Sequence, residues 1–219
     1  MKLISINVGR PRLLASKGAT FSTGIFKQPV AGRVMLRRTN LDGDRQADLS
    51  VHGGPDKAAY GYPSEHYPFW RDLLATNDLP CGAFGENFTT EGLLESEVSV
   101  GDRFRVGSAI VMAKTPRLPC YKLAAKFRRD QIIEEFLNSG RCGFYFSAVE
   151  EGEVAAGDEF KFLGGETPTI TILQAFQLYL PSFADADLLE RGTQVRSLPE
   201  SWRERYRVKL GVLQKQPQT

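Results

Sequence analysis

The sequence has few of the residues that build disulfide frameworks or zinc sites. Its 219 residues include only three cysteines and two histidines, and the odd number of cysteines argues against a set of structural disulfides. The cysteines and histidines are widely dispersed and show no zinc-ligand spacing. Free thiols fit a reducing compartment, so we expect a cytoplasmic protein whose cysteines are available as ligands or nucleophiles.

Long apolar runs and several functional signatures are also missing. No stretch approaches the roughly 18 apolar residues of a spanning helix, and the apolar run in MKLISINV is too short for a signal peptide. VHGGPDKA matches neither common nucleotide-binding glycine pattern, and no Gly-x-Ser-x-Gly elbow is present. No basic stretch carries the interleaved aromatic residues of an RNA-binding module. We therefore expect neither a membrane nor a nucleic-acid partner.

Acidic residues are absent from two long stretches, although the net charge is only +2. Residues 1–41 and 103–129 each hold eight Lys or Arg and no Asp or Glu, which makes 16 of the 28 basic residues. If the two stretches meet in space, they form a positive concave face suited to a phosphate-bearing ligand. The alternative is two separate solvated faces, neutralised by acidic neighbours.

Hydrophobic periodicity predicts a mainly β chain followed by helices. Strands are predicted at 2–8, 30–39, 109–115 and 143–149. EVSVGDRFRVG and EVAAGDEFKFLG share the pattern E-V-x-x-G-D-x-F, whose Gly-Asp pairs predict two hairpins of a closed β structure. Helices are predicted at 64–75, 121–138, 171–179, 184–191 (stopped by Gly192) and 197–210. We expect a β-barrel-like domain over 1–165 and a small three-helix subdomain over 166–215.

The stretch TPRLPCYKL, residues 115–123, makes Cys120 the strongest chemical candidate. Cys120 stands between a predicted strand and a predicted helix, with Arg117 and Lys122 nearby and no carboxylate in the stretch. A helix N-terminus and basic neighbours lower a thiol pKa and favour the thiolate that attacks or binds metal. A packed structural cysteine is the alternative for Cys120, and it is the preferred interpretation for Cys81 and Cys142, which adjoin glycine in apolar surroundings.

Two loops carry further candidates. The stretch VHGGPDKA, with His52 and Lys57, is either an anion cradle of successive backbone N–H groups or a plain β-turn. In the loop FGEN, Asn87 offers a donor and an acceptor to the edge of a heterocycle. Its alternative role is to stabilise its own loop through an Asx turn.

Three segments together resemble a known family: DRQADLSVHGGPDKAAYGYPSEHYPFW, GAFGENFTTEGLLESEVSVGDRFRVG and PRLPCYKL. They are similar, in order, to stand-alone MOSC-domain proteins of the YiiM type, where MOSC names the C-terminal domain of molybdenum-cofactor sulfurases. The last third resembles the three-helix extension of those proteins. The resemblance implies a β-barrel-like fold that binds the pterin molybdenum cofactor, molybdopterin.

The resemblance also implies roles for particular residues. Cys120 matches the cysteine that ligates molybdenum, while Arg117 and Asn87 match residues that line the cofactor site. His52 and Lys57 belong to the matching HGG-x-DK stretch. With Lys122 from the basic neighbourhood of the thiol, they complete the set of expected cofactor-binding residues.

The resemblance leaves the function open between three hypotheses. The first is an oxidoreductase that converts a small R–NHOH substrate to the amine, with electrons from an external flavin reductase, because the sequence shows no flavin, haem or iron–sulfur pattern. The second is a sulfur carrier that holds a persulfide on Cys120 for delivery to a metal cluster or cofactor. The third is a cofactor-binding or storage module. In each case the terminal helices serve as a partner-docking surface or as a homodimer contact.

Overall fold

The structure is a computed structural model that describes residues 1–47 and 53–215. The strands in these residues are β1 Lys2–Val8, β2 Arg12–Ser16, β3 Ala19–Thr23, β4 Gln28–Pro29, β5 Val34–Leu36, β6 Ala59–Pro63, β7 Phe88–Glu91, β8 Arg103–Val106, β9 Ala109–Pro116, β10 Phe144–Glu150, β11 Gly152–Val154 and β12 Phe160–Gly164. The α-helices are α1 Tyr67–Leu74, α2 Tyr121–Phe127, α3 Ile132–Ser139, α4 Ile172–Tyr179, α5 Ala186–Gln194 and α6 Glu200–Lys215. Within the described residues, none of them is both long enough and apolar enough to cross a membrane.

Eight of the strands form one strongly curved sheet. Their order is β12-β8-β9-β10-β6-β7-β1-β4, and β6 and β7 are parallel neighbours, whereas the other pairs are antiparallel. The sheet curls until β1 approaches the residues before β12, where Lys2 bridges Glu159. The prediction of a mainly β, barrel-like domain followed by helices is confirmed.

Phenylalanine rings from distant strands fill the curl of the sheet. Phe88 of β7, Phe146 of β10 and Phe160 of β12 lie with their ring centroids 5.9–6.4 Å apart. Each of these side chains is at most 3% exposed. Because β7 and β12 are far apart in the strand order, their rings meet only if the sheet wraps around a common apolar core.

A second aromatic cluster fixes α1 and α3 beside the sheet. Trp70 stacks on Phe136 with centroids 5.7 Å apart, and Tyr62 stacks on Phe84 at 4.6 Å. Trp70 Nε1 donates to Tyr62 Oη at 2.5 Å, which satisfies a buried indole N–H. This cluster holds Phe84, the first residue of the loop FGEN, against α1 and α3.

The Gly-Asp repeats form turns, but not the hairpin turns that their sequence predicts. Gly101 and Gly157 have φ angles of 88° and 97°, which glycine adopts without a Cβ penalty. The Oδ2 atoms of Asp102 and Asp158 each accept from the backbone N–H three residues earlier, at 2.8 Å. Both turns precede a strand, and those strands, β8 and β12, pair with each other. The repeat therefore starts two neighbouring strands, while the β8–β9 hairpin turns at 107–108.

The single helix predicted over 121–138 is wrong, because the chain forms α2 and α3 instead. Arg128 adopts a left-handed φ of 52° and ends α2. Leu123 and Ile132 are both fully buried, yet nine residues of continuous helix would turn them about 180° apart. The break between the two helices lets both side chains reach the core.

Two smaller expectations also differ from the structure. The strand predicted over 30–39 is limited to β5, which pairs with β11. Gly192 lies inside α5 rather than ending it. A Cβ at this position would come within 2.9 Å of the ring of Tyr206, so the glycine permits close packing of α5 on α6.

The C-terminal helices are attached directly to the sheet domain. Thr171 caps α4 in a reciprocal capping box with Gln174 and forms an antiparallel bridge with Ser99. The hydroxyl of Tyr206 in α6 donates to the carbonyl of Ala175 in α4 at 2.9 Å. These contacts carry α4 and α6 back towards the end of β9. The domain boundary near residue 165 remains a prediction.

Candidate functional site

A cavity of about 480 Å³ opens beside the end of β9, in the size range of small-molecule sites. Five of the six predicted site residues line this one cavity: Lys57, Asn87, Arg117, Cys120 and Lys122. The sixth, His52, lies outside the described residues. Residues separated by up to 65 positions in the sequence are therefore brought to one place.

Cys120 sits where β9 passes into α2. It is the N-cap residue of α2, with an extended backbone at φ −135° and ψ 168°, and its carbonyl accepts from Leu123 N at 2.8 Å. Its thiol is free and partly exposed at the cavity wall. Cys142, by contrast, is fully buried, and burial raises the pKa of its thiol well above the usual value. The geometry thus separates a ligand-accessible thiol from an inert one.

Arg117 is a buried cation, only 5% exposed, that faces aromatic rings rather than carboxylates. Its guanidinium lies 5.0 Å from the ring centroid of Phe136 and 5.5 Å from that of Tyr60. Among the described residues, its Nη1 atom has no hydrogen-bond partner, and no acidic side chain forms an ion pair with it. Burial works to lower the arginine pKa, whereas Tyr60 and Tyr145 work to raise it. The net shift of the pKa is upward, so the group stays charged. A buried donor left in this way is suited to an anionic ligand.

Asn87 holds the cavity wall together through its amide. Its Oδ1 accepts from Tyr60 N at 3.1 Å, and its Nδ2 donates to Asn7 O at 3.2 Å and to Asp44 Oδ2 at 2.9 Å. Asp44 Oδ1 in turn accepts from Lys27 Nζ at 2.5 Å. Contact of Asn87 with a ligand remains a prediction, since the amide already has protein partners for its donor and acceptor groups.

Glu86 fixes the loop that carries Asn87. Its fully buried carboxylate accepts from Gly82 N at 2.7 Å, Phe84 N at 3.0 Å and Thr89 Oγ1 at 3.0 Å. The hydroxyl of Tyr67 donates to it as well. Four donors satisfy this buried charge, so Glu86 organises the FGEN loop from within.

The cavity lining is strongly basic. The lining includes six Lys or Arg residues and one acidic residue, Asp44, which is already paired with Lys27. Lys27 comes from the first acid-free stretch, and Arg117 and Lys122 come from the second. The two basic stretches therefore meet at this cavity through these three residues. For Lys57, burial lowers the pKa and the charge of Asp56 partly opposes it.

The described residues contain no group of three or more His, Cys, Asp or Glu that could hold a metal ion. His66 instead contacts Glu95, with Nε2 2.7 Å from Oε2, in a buried pair away from the cavity. A metal at Cys120 would therefore need to arrive with further ligands of its own.

The sequence did not predict that the C-terminal helices reach the cavity. Tyr179 ends α4, while Trp202 and Arg205 lie on the first turns of α6. Helical periodicity predicts that these helices exist. It carries no information about which face meets the cavity, so the sequence held no signal for these contacts.

Comparison with known proteins identifies the family of the chain. The MOSC domain model matches residues 48–161. The chain is 42% identical to the uncharacterized protein YflK of Bacillus subtilis, over 92% of this chain and 90% of that one. It is 37% identical to protein YiiM of Escherichia coli, over 82% and 81% of the two chains. This chain belongs to the MOSC-domain family.

Further similarities extend this relationship. The chain is 29% identical to a protein named Reductase in Gibberella moniliformis, over 88% of this chain but only 35% of that protein. The crystal structure of YiiM from Geobacillus stearothermophilus superposes with a TM-score of 0.79 at 31% identity, covering 95% of this chain and 98% of that one. The similarity to YiiM thus includes the terminal helices as well as the sheet domain.

Proposed function

We propose that this protein is a molybdenum-cofactor-dependent reductase of N-hydroxylated compounds. Its MOSC homology and its similarity to a protein named Reductase support an oxidoreductase-type function related to the molybdenum cofactor. The observation that carries the proposal is the placement of the partly exposed Cys120 thiol and the unpaired Arg117 guanidinium on one cavity.

The residues of the cavity fit a pterin molybdenum cofactor by their chemistry. A thiolate is a soft ligand, suited to molybdenum that the pterin already binds through sulfur. The single thiol, with no other cluster of metal-ligating side chains in the described residues, suits a metal that brings most of its own ligands. The buried Nη1 of Arg117, together with Lys122, suits the phosphate of the pterin.

The proposed reaction is R–NHOH + 2 e⁻ + 2 H⁺ → R–NH₂ + H₂O, with the electrons supplied by an external flavin reductase. When bound, the cofactor would supply the redox chemistry. The protein would position the reacting groups: Cys120 would bind the metal through Sγ, and Arg117 would hold the phosphate. The network of Asn87, Asp44 and Lys27 keeps the wall rigid around them.

Metal and pterin analysis tests this proposal most directly. The protein is produced in a host that makes molybdenum cofactor, as wild type, Cys120→Ala and Cys81→Ala. We expect near-stoichiometric molybdenum and pterin in the wild type and in Cys81→Ala, because Cys81 is absent from the cavity lining. Cys120→Ala should lose or loosen the metal and should no longer reduce an N-hydroxylated substrate.

The same samples separate the reductase from a sulfur carrier. A carrier uses Cys120 without molybdenum, so its signature is a persulfide on this residue, detected by mass spectrometry, in protein that contains neither molybdenum nor pterin. That combination would overturn the reductase proposal and leave the carrier hypothesis in its place.

A further inference from the structure

Three arginines of α6 differ in their ion pairing. Arg207 pairs through Nη1 with Glu200 at 2.7 Å and with Glu204 at 2.6 Å, and Arg203 also pairs with Glu200. Arg205 lines the cavity instead, and it forms no ion pair with any acidic residue that the structure describes. Of these three arginines, the one at the cavity is therefore the one without a counterion.

Arg205 is nevertheless held in a defined position. Its guanidinium lies 4.0 Å from the ring centroid of Tyr179, and its Nη2 donates to Tyr179 O at 3.2 Å. Lys209 Nζ secures the same helix end, because it donates to the carbonyls of Leu178 at 3.1 Å and Leu180 at 2.6 Å. Stacking on a ring and one hydrogen bond fix the guanidinium plane and leave its other N–H donors available.

An aromatic surface lies directly beside this cation. Trp202 packs on Tyr179 with centroids 4.9 Å apart, and both rings are partly exposed where they line the cavity. Partly exposed rings next to an oriented guanidinium can bind a planar group by stacking and its anionic substituent by charge-assisted hydrogen bonds.

We propose that α4 and α6 form the substrate-selecting wall of the cavity, with Arg205 binding the anionic substituent of a planar aromatic substrate that packs against Trp202. This inference rests on the proposed function for the identity of the reaction. It assigns the C-terminal helices to substrate choice. Arg117 and Cys120, which belong to the segment between β9 and α2, remain the cofactor-binding residues.

The test compares two probes that differ in one charged group. Binding of 4-aminobenzoate and of aniline, the products expected from the corresponding hydroxylamines, is measured by calorimetry on cofactor-loaded protein. We expect wild type to bind 4-aminobenzoate about tenfold more tightly than aniline, the value of one charge-assisted hydrogen bond at a partly exposed site. Arg205→Ala should remove this preference. Arg205 is exposed, so its truncation leaves the core intact.

Two further variants control the experiment. Arg207→Ala removes the same charge from the same helix away from the cavity and should leave the preference at about tenfold. Trp202→Leu should weaken both probes by about fivefold, since it removes stacking without changing charge. Trp202→Phe, which retains a ring, should recover most of this loss.

The possible results separate this inference from the proposed function. Binding without preference in wild type, no binding of either probe, or an equal loss in Arg207→Ala would overturn the inference. Loss of molybdenum and pterin in Arg205→Ala would also overturn it, because Arg205 would then belong to the cofactor site. Charge-selective binding without reduction of 4-(hydroxyamino)benzoate would refute the proposed reaction and leave the selecting wall standing. Reduction of 4-(hydroxyamino)benzoate and phenylhydroxylamine at equal rates, with equal binding of their products, would overturn the selecting wall and leave the proposed reaction standing.

Discussion

Replacing Arg117 with methionine should make the cofactor-free protein more stable while it removes the anion site. The guanidinium is buried, and among the described residues its Nη1 has no hydrogen-bond partner and no carboxylate neutralises its charge. Such a group is held in place by the surrounding fold at a cost in folding free energy. Methionine fills most of the same volume without a charge to desolvate.

The size of the effect follows from two opposing contributions. An unpaired buried cation costs several kcal/mol after relaxation of the protein around it. The rings of Phe136 and Tyr60, 5.0 Å and 5.5 Å away, recover part of that cost at about 1 kcal/mol each. The net gain for Arg117→Met is about 2 kcal/mol in the free energy of unfolding. In a chain of this length, that gain raises Tm by about 6 °C.

The assay is thermal unfolding of protein made in a host that lacks molybdenum cofactor. Inorganic phosphate is then titrated as a probe for the anion site. Wild type should gain stability with phosphate according to mass action, and Arg117→Met should not respond. Lys114→Met is the matched control, because Lys114 is also a buried cation but is paired with Asp56 at 3.1 Å. We expect this control to lower Tm slightly.

A Tm for Arg117→Met at or below the wild-type value would refute the reasoning. It would mean that the aromatic rings and cavity water already satisfy the guanidinium fully. The residue would then be a structural part of the core, and the unpaired Nη1 would carry no argument for a ligand. A phosphate response that survives in the variant would lead to the same conclusion.

Three further predictions concern the framework of the site. Burial lowers the pKa of Lys126 from 10.5 to about 8. Between pH 8 and 10.5 the unfolded state therefore binds more protons than the folded state, so the stability of wild type relative to Lys126→Met should increase as the pH rises. Urea unfolding at a series of pH values should show an increase of at most about 3 kcal/mol. Asp44→Ala leaves a buried lysine and an amide without their acceptor and should cost about 3–5 kcal/mol by the same method; a cost below 1 kcal/mol would contradict the network. Gly157→Ala should lower the free energy of unfolding by about 1 kcal/mol through backbone strain alone. Gly101→Ala should lower it more, because the added Cβ would also lie 2.9 Å from Glu166 Cγ. Equal losses for the two variants would contradict this difference.

Local patterns predicted the elements of this fold better than their boundaries and pairings. β1 follows directly from apolar alternation, and β9 and β10 were predicted as strand-like apolar segments. The break at Arg128 was missed, since a one-dimensional pattern does not show that Leu123 and Ile132 must reach one core. The Gly-Asp turns were recognised as turns, but the partners of the strands that follow them depend on the curl of the whole sheet.

The candidate site was predictable where chemistry is concentrated in a short motif. Cys120 and Arg117 stand three residues apart around a strand end, so their neighbourhood is visible in the sequence. Asp44 and Lys27 were missed, because their pairing depends on loops whose path the sequence pattern does not define. Arg205 was missed for a related reason: its difference from Arg207 is which face of α6 meets the cavity.

The cavity contains two kinds of polar group, and the distinction explains how it can be both rigid and reactive. Asn87 and Asp44 in the cavity lining have several protein partners each, as does Glu86 of the adjoining loop, so their positions are determined by the fold alone. Arg117 faces the same cavity with a buried Nη1 that no described residue satisfies. A fold tolerates such a buried donor only where the satisfied network around it holds it in place. The exposed Arg205 faces the cavity without an ion pair to any described residue. Of these two cations, Arg117 would bind the proposed cofactor and Arg205 the proposed substrate.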